Sequence, residues 1–305
     1  MTLPAVAPLV SVVVCTHNRA ADALRCVAAA APQVAALGWE LLVIDSASSA
    51  EHAQRLGALA AQPGILLSHL EQPGLSVARN RGAELAHGDW VAYLDDDAIV
   101  QPGWAEQLGA VLRAQPPSVG IVGGRIEPSW PAGALGAEVT PRWLLMLSCV
   151  ESAEAGRVAD GHNICGANFA IRRGALAAAG GFPSTLGRVG GRLISGEESF
   201  VIRRMQQAGL DAVYDPRFVV LHCIEAQRLT RAWIARRAYW EGVTRVLVHR
   251  ALHEPFPAAL TPLKLLASIP VLWALRWLHA GNPDYLIRLN LARGSLHARC
   301  QGVAR

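Results

Sequence analysis

The 305-residue sequence predicts an α/β fold, a mostly parallel sheet flanked by helices and followed by a helical C-terminal extension. Three observations carry this. Apolar, β-branched runs of strand length recur between Ala/Leu-rich stretches of helical spacing, and three of those runs end in a polar cluster. From Glu225 onward the pattern turns helical and basic, with 12 Lys+Arg against 4 Asp+Glu, a balance of +8 beside −4 for the preceding residues of a chain whose net charge is +4. Hydrophobic residues make up 52% of the chain, which excludes general disorder and supplies a sizeable core.

The elements follow in order. LVSVVVC, residues 9–15, is bounded by Thr-His-Asn-Arg and suits a strand buried on both faces. No basic leader precedes it and no small-residue cleavage site follows, so the N-terminal stretch is expected to be strand, not signal peptide. Residues 20–37 have helical spacing, and WELLVID, residues 39–45, is a second buried strand ending on Asp45. A helix near 50–61, a short strand at 64–70 and a helix at 75–86 come next, and DWVAYLDDD, residues 89–97, is the fourth strand. Ligands of parallel sheets collect at the carboxyl ends of strands, which is where the polar clusters 16–19, 45–49 and 95–97 fall together. From about Gly120 the chain changes to short strands and loops rich in Gly, Pro and Trp, with a helix starting near Glu197. No Walker loop follows the first strand and no G-x-G-x-x-G opens the first helix, so P-loop and dinucleotide-binding functions lose their main support.

The run Asp95-Asp96-Asp97 is the sharpest chemical signal. Carboxylates stacked at the end of an apolar strand are costly unless a cation or a solvated cleft receives them. In an extended segment Asp95 and Asp97 share a face and Asp96 points elsewhere. Such oxygen ligands suit Mg²⁺ or Mn²⁺ carrying phosphate, whereas the bland account is an acidic turn. Arg79, in a helical stretch, suits a diphosphate or, equally, an internal acid that holds the helix to the sheet. Residues 227–242 place Arg228, Arg231, Arg236 and Arg237 near Trp233, Tyr239 and Trp240. That pattern suits anionic lipid headgroups or a polyprenyl diphosphate, against plain helical packing, and nucleic acid is not expected. The apolar stretch 263–278 is interrupted by Lys264, Pro270 and Arg276, which favours an interfacial or docked helix over a spanning one. Six scattered cysteines without a CxxC pair point to a reducing cytoplasm rather than a zinc site or a disulfide framework.

Taken in order, VSVVVCTHNR, LLVIDSAS, GLSVARNRG, WVAYLDDDAIVQPGW, GANFAIRR followed by GGF, and SGEES resemble the family 2 glycosyltransferases over roughly residues 10–222. The resemblance implies a GT-A fold, a Rossmann-like sheet, and metal-dependent inverting transfer of a sugar from a nucleoside diphosphate donor, a UDP-sugar first. It implies a catalytic domain over 1–224, with a nucleotide-sugar half about 1–118 and an acceptor half about 119–224, ahead of a 225–305 extension. Asp97 is expected on the metal and Asp95 on metal or nucleotide, with Asp96 among the nucleotide-sugar contacts. His222 resembles a histidine that joins the metal or diphosphate. Asp45 is expected on the base or ribose, with Thr16, Asn18 and Arg19 lining the same pocket and Arg79 serving the nucleotide-sugar.

Glu198 aligns with the family's base. Glu197 is expected to orient the acceptor or pair an arginine, and the choice of base between the two stays open. Asn168 and Arg192 are placed with the acceptor, Gly166 permits close backbone approach, and the loop 186–196 is either a closing segment or a surface loop. Two departures stand out: Ser46-Ala47-Ser48 where family members often carry Asn-Gly or Gly-Ser, and Glu197-Glu198 where Glu-Asp is usual. The acceptor is expected to be a glycan or a polyprenyl or other lipid-linked molecule of the cell surface, and the location cytoplasmic, peripheral at the inner face of the plasma membrane. A nucleotidyltransferase acting on sugar phosphates is disfavoured by the lack of a Gly-rich, Lys/Arg-bearing loop after the first strand. A non-catalytic sugar-nucleotide-binding protein is disfavoured by the joint presence of metal-type and base-type carboxylates.

Overall fold

A computed structural model describes residues 9–133, 139–159 and 164–300. The chain runs β1 (Val10–Thr16), α1 (Ala20–Ala36), β2 (Glu40–Ser46), α2 (Ala50–Leu56), β3 (Ile65–Leu70), α3 (Leu75–Leu85), β4 (Trp90–Asp95), β5 (Ala98–Val100), α4 (Trp104–Arg113), β6 (Val119–Ser129), α5 (Pro141–Met146), β7 (Gly156–Arg157), β8 (Phe169–Arg172), α6 (Arg173–Ala178), α7 (Glu197–Gln207), β9 (Asp211–Cys223), α8 (Arg231–Ala251), α9 (Pro262–Leu278) and α10 (Pro283–Cys300). The first eight residues of the N-terminal stretch lie outside the described residues.

Every residue of β1 is buried because the strand lies between two parallel neighbours, β2 and β4. This is the environment that a valine run without polar alternation requires. β3 closes that side of the sheet as a half-exposed edge, which its Ser68 and His69 tolerate. Across the sheet the order is β3-β2-β1-β4-β8-β6-β9-β5, with β7 beside β9. The parallel expectation holds for β1 to β4. Beyond them the sheet is mixed, because β8 runs antiparallel to β4 and β6, and β5 antiparallel to β9. The helix expected over 50–61 ends at Leu56 and tightens into a 3₁₀ turn, Gly57–Ala61, beginning at a glycine that disfavours regular helix.

Helices α8 and α10 dock on the rest of the chain through clusters separate from the core of the sheet. Trp143 and Met146 of α5 pack with Ile234 and Ala238 of α8 and with Leu286 and Ile287 of α10, and Leu186 and Ile194 pack with Val248 and Leu252. α8 and α10 cross at two glycines: a Cβ on Gly242 would collide with the Leu291 carbonyl, and one on Gly294 with the Tyr239 carbonyl. α9 is different. Only its Leu265 is buried, while Leu263, Leu266, Val271, Trp273, Trp277 and Leu278 are exposed. Among the described residues no helix is long and apolar enough to cross a membrane.

Candidate active site

The register of the parallel strands sets Cys15 beside Asp95 and Thr16 beside Asp45, so the polar ends of β1, β2 and β4 form one rim. A cavity of about 1120 Å³ opens on that rim. Of the residues singled out in the sequence, Thr16, Arg19, Arg79, Asp95, Asp96, Asp97, Glu197, Glu198 and His222 line it.

The three aspartates do not form an extended segment. β4 ends at Asp95, and Asp96 and Asp97 make the turn into β5, so the expected sharing of a face by Asp95 and Asp97 gives way to a different pairing. Asp95 faces Arg79, whose Nη2 lies 3.2 Å from its Oδ1. Asp96 and Asp97 instead share Arg19, whose Nη1 is 3.1 Å from one and 3.0 Å from the other. The Thr16 hydroxyl also donates to Asp96 at 2.9 Å. Asp97 is further engaged by His222 Nε2 at 3.3 Å and by Arg228 Nη2 at 3.2 Å. Burial works against charge on Asp97, but His222, Arg19 and Arg228 outweigh it and hold its carboxyl well below the usual range. Asp96, with burial dominant over Arg19, is pushed up to about 7.

Asp95 thereby joins a second cluster, built around Arg79. This side chain is 1% exposed, and its Nη1 donates to Glu197 at 2.8 Å and to Glu198 at 2.9 Å. Tyr93, Phe169 and Phe182 surround its guanidinium with ring centroids 5.6–5.9 Å away. The two carboxylates open α7, and Gly196 before them adopts φ 90°, a left-handed conformation that glycine supplies without strain. Gly166 lets its backbone pass where a Cβ would meet Arg79 and, at 2.6 Å, Glu198 Oε1. The side chains differ in access: Glu198 is 13% exposed and Glu197 3%. Burial first, and then the charge of Glu198, push Glu197 up to about 8 against the pull of Arg79. Its Oε2 is buried without a hydrogen-bond partner.

Four predicted residues are not on the cavity wall. Asp45 accepts the Ser48 N–H at 3.1 Å and lies 2.9 Å from His69 Nδ1, so it anchors the loop after β2. Asn18 locks the loop after β1 onto that loop, its N–H donating to Ser48 Oγ and its Oδ1 accepting from Ser49. Asn168 is wholly buried and fully engaged in the interior. It accepts from Trp104 Nε1 and donates to the carbonyls of Arg125 and Phe218, which leaves nothing for an acceptor. Arg192 is exposed, and the cavity takes Arg188 and Leu193 from its loop instead.

Sequence reasoning missed Arg228 as a member of the aspartate cluster. Its place six residues after His222, where β9 returns beside β5, was the available signal. It also missed His69, although the end of β3 lies in register with Asp45.

Asp95, Asp97 and His222 are the residues here that could hold a divalent cation. Two carboxylates and an imidazole supply donors of that chemistry, with His222 meeting Asp97 through Nε2, the nitrogen an ion shared with Asp97 would use. Among the described residues no three His, Cys, Asp or Glu side chains form a ready cage.

A mixed α/β sheet with carboxylates at the carboxyl ends of its strands, followed by C-terminal helices, is an architecture that GT-A glycosyltransferases share. The model of glycosyl transferase family 2 matches residues 11–178, more than half of the chain, and the chain belongs to that family. It is 31% identical over 185 residues to the glucosyl-dolichyl phosphate glucuronosyltransferase of Haloferax volcanii, spanning 59% of this chain and 58% of that protein. It is 28% identical over 251 residues to the succinoglycan biosynthesis protein ExoM of Rhizobium meliloti, spanning 78% of this chain and 75% of that one. Its relatives thus include proteins of glycolipid and polysaccharide synthesis. In fold it is similar to the mannosyltransferase PcManGT of Pyrobaculum calidifontis, solved with GDP-Man and Mn²⁺, with TM-score 0.59 and 23% identity over 99% of this chain and 78% of that chain. It is also similar to GalNAc-T7, solved with UDP, GalNAc and Mn²⁺, with TM-score 0.55 and 18% identity over 92% of this chain and 56% of that chain.

Proposed function

We propose that this glycosyltransferase is inverting and divalent-metal-dependent, and that it moves a sugar from a nucleoside diphosphate sugar, a UDP-sugar first, to a glycan or lipid-linked acceptor. The observation that carries the reading is that two linked charge clusters line one cavity: Asp96, Asp97 and His222 gathered with Arg19 and Arg228, and Glu197 and Glu198 on buried Arg79, which Asp95 joins. Similarity in fold to proteins solved with GDP-Man or UDP and with Mn²⁺ supports the donor class and the ion.

Asp95, Asp97 and His222 would hold Mg²⁺ or Mn²⁺, which when bound neutralises charge developing on the departing diphosphate. Arg19 and Arg228, already gathered on the aspartates, carry the planar forks that suit phosphate oxygens. Glu198 takes the proton of the acceptor hydroxyl as that oxygen bonds to the anomeric carbon. The bond from that carbon to the diphosphate oxygen breaks, and its electron pair leaves on the nucleoside diphosphate. Glu198 is assigned this role because it is the more accessible of the pair. Glu197 keeps Arg79 in place.

The setting proposed is the cytoplasmic membrane face. α9 exposes Trp273, Trp277 and four aliphatic side chains, carries Lys264 and Arg276, and lies in a stretch with no Asp or Glu between Glu254 and Asp284.

The test is a screen of nucleotide sugars with Mn²⁺, reading released nucleotide and the anomeric configuration of the product. Asp97→Asn and Glu198→Gln are each expected to lower kcat by about 10²-fold or more. Retention of wild-type kcat by either variant would overturn the site assignment. Release of a nucleoside monophosphate would overturn the diphosphate donor, and a retained anomer would overturn inversion.

A further inference from the structure

We propose that the same cavity contains a second anion subsite, built by Arg237 and Arg245 of α8 with Arg236 beside them, that holds the phosphate of a lipid-linked sugar acceptor. This rests on the glycosyltransferase reading and names its acceptor.

Arg237 carries the argument. Its side chain is 8% exposed, it lines the cavity, and its Nη1 is buried without any hydrogen-bond partner. A guanidinium N–H left so is costly unless a ligand accepts it. The other arm, Nη2, donates to Ser195 Oγ and Glu241 Oε2, each at 3.2 Å. Glu241 is also the carboxylate nearest Arg245, at 3.5 Å, so one acid serves two guanidinium groups. Arg236 adds a third cation, spent only on the Gly191 carbonyl, and no described carboxylate lies within ion-pair distance of it. The surplus of positive charge, the planar forks and the missing acceptor together describe a site for an anion with several oxygens.

Position separates this subsite from the donor end. Arg19 and Arg228 are held on Asp97, whereas Arg237 is held on Ser195, two residues before Glu197 and three before Glu198. An anion on Arg237 therefore stands on the base's side of the cavity, where the acceptor must lie.

The wall beyond identifies the anion as a lipid's. Pro257, Ala259 and Leu260 line the same cavity. They lead directly into α9, where Leu263 and Leu266 are exposed. A free phosphate has no use for that apolar exit. A phosphate joined to a hydrocarbon chain on one side and a sugar on the other uses all three features.

Titration calorimetry of the full chain with farnesyl phosphate, farnesol and inorganic phosphate tests the subsite, with UDP and GDP plus Mn²⁺ titrated in parallel. Farnesyl phosphate is expected to bind more tightly than either fragment. Arg237→Gln and Arg245→Gln are each expected to weaken it about tenfold while leaving nucleotide binding unchanged, and Arg237→Lys to restore some of the loss. Inorganic phosphate binding as tightly as farnesyl phosphate would overturn the lipid assignment. Wild-type affinity in both glutamine variants would overturn the arginine site. Should Arg237→Gln fail to fold, Arg245→Gln decides, since that side chain is 43% exposed. Nucleotide binding without farnesyl phosphate binding would overturn this subsite alone, and loss of both would overturn the transferase reading beneath it.

Discussion

Glu197 shows at the scale of one residue how the fold sets chemistry. Its folded value of about 8 lies above the ordinary 4.5, so its contribution to stability is fully present below pH 4.5 and is lost as pH rises through 8. Asp96, at about 7 against 3.8, has the same sign over a lower window. Asp97, held low, acts oppositely: its contribution is present above 3.8 and is lost in acid. The melting temperature of the wild type is therefore expected to fall from pH 5 to pH 8.5, and Glu197→Gln, which cannot ionise, to flatten the upper end of that fall. An unchanged slope in the variant would place the proton elsewhere. At this scale the sequence was legible in placing Asp95 and His222 at strand ends on the cavity, and not in the turn that separates Asp97 from the face of Asp95. It was not legible where a partner arrives from a distant element. Nothing local to Asn168 says that Trp104, Arg125 and Phe218 will use all of its amide. Ala47 belongs here too: it takes φ 56°, the left-handed conformation that the more usual glycine would adopt without strain, in the loop that Asn18 clasps.

Among the elements, β1, β2 and β4 could be found from sequence because strands buried on both faces leave an uninterrupted β-branched run. β5 and β8 could not. They are three and four residues long, and their antiparallel sense depends on where the chain returns rather than on what they contain. The α8–α10 crossing was equally hidden, since Gly242 and Gly294 lie in helical stretches where glycine lowers propensity by about 1 kcal/mol. Their purpose is contact between backbones. Gly242→Ala and Gly294→Ala are each expected to destabilise the protein by about 2–3 kcal/mol through overpacking, read as a lower denaturant midpoint at unchanged m. Alanine at both positions with a wild-type midpoint would mean that the crossing is loose.

For the whole molecule, the charge asymmetry legible in the composition resolves into a basic helix, α8, and an apolar one, α9, that packs on α10 yet leaves most of its large side chains exposed. Trp273 and Trp277 are 61% and 75% exposed, so replacing both with alanine removes little internal packing. The double variant is expected to keep its melting temperature and to bind anionic phospholipid vesicles about tenfold more weakly in flotation, with high salt weakening both forms. Equal flotation of variant and wild type would assign membrane contact to another surface. Arg79 carries the other whole-molecule consequence. Of its three carboxylates, Asp95 lies in the first 118 residues of the chain and Glu197 and Glu198 after them. Cut there, the leading segment would keep a buried cation with a single counter-ion, and the trailing segment would hold two crowded carboxyl groups without the guanidinium that favours their ionised forms. Neither segment is electrically complete, so the two segments are not exchangeable modules. A chimera joining its leading segment to another transferase's trailing segment inherits an unbalanced charge at residue 79.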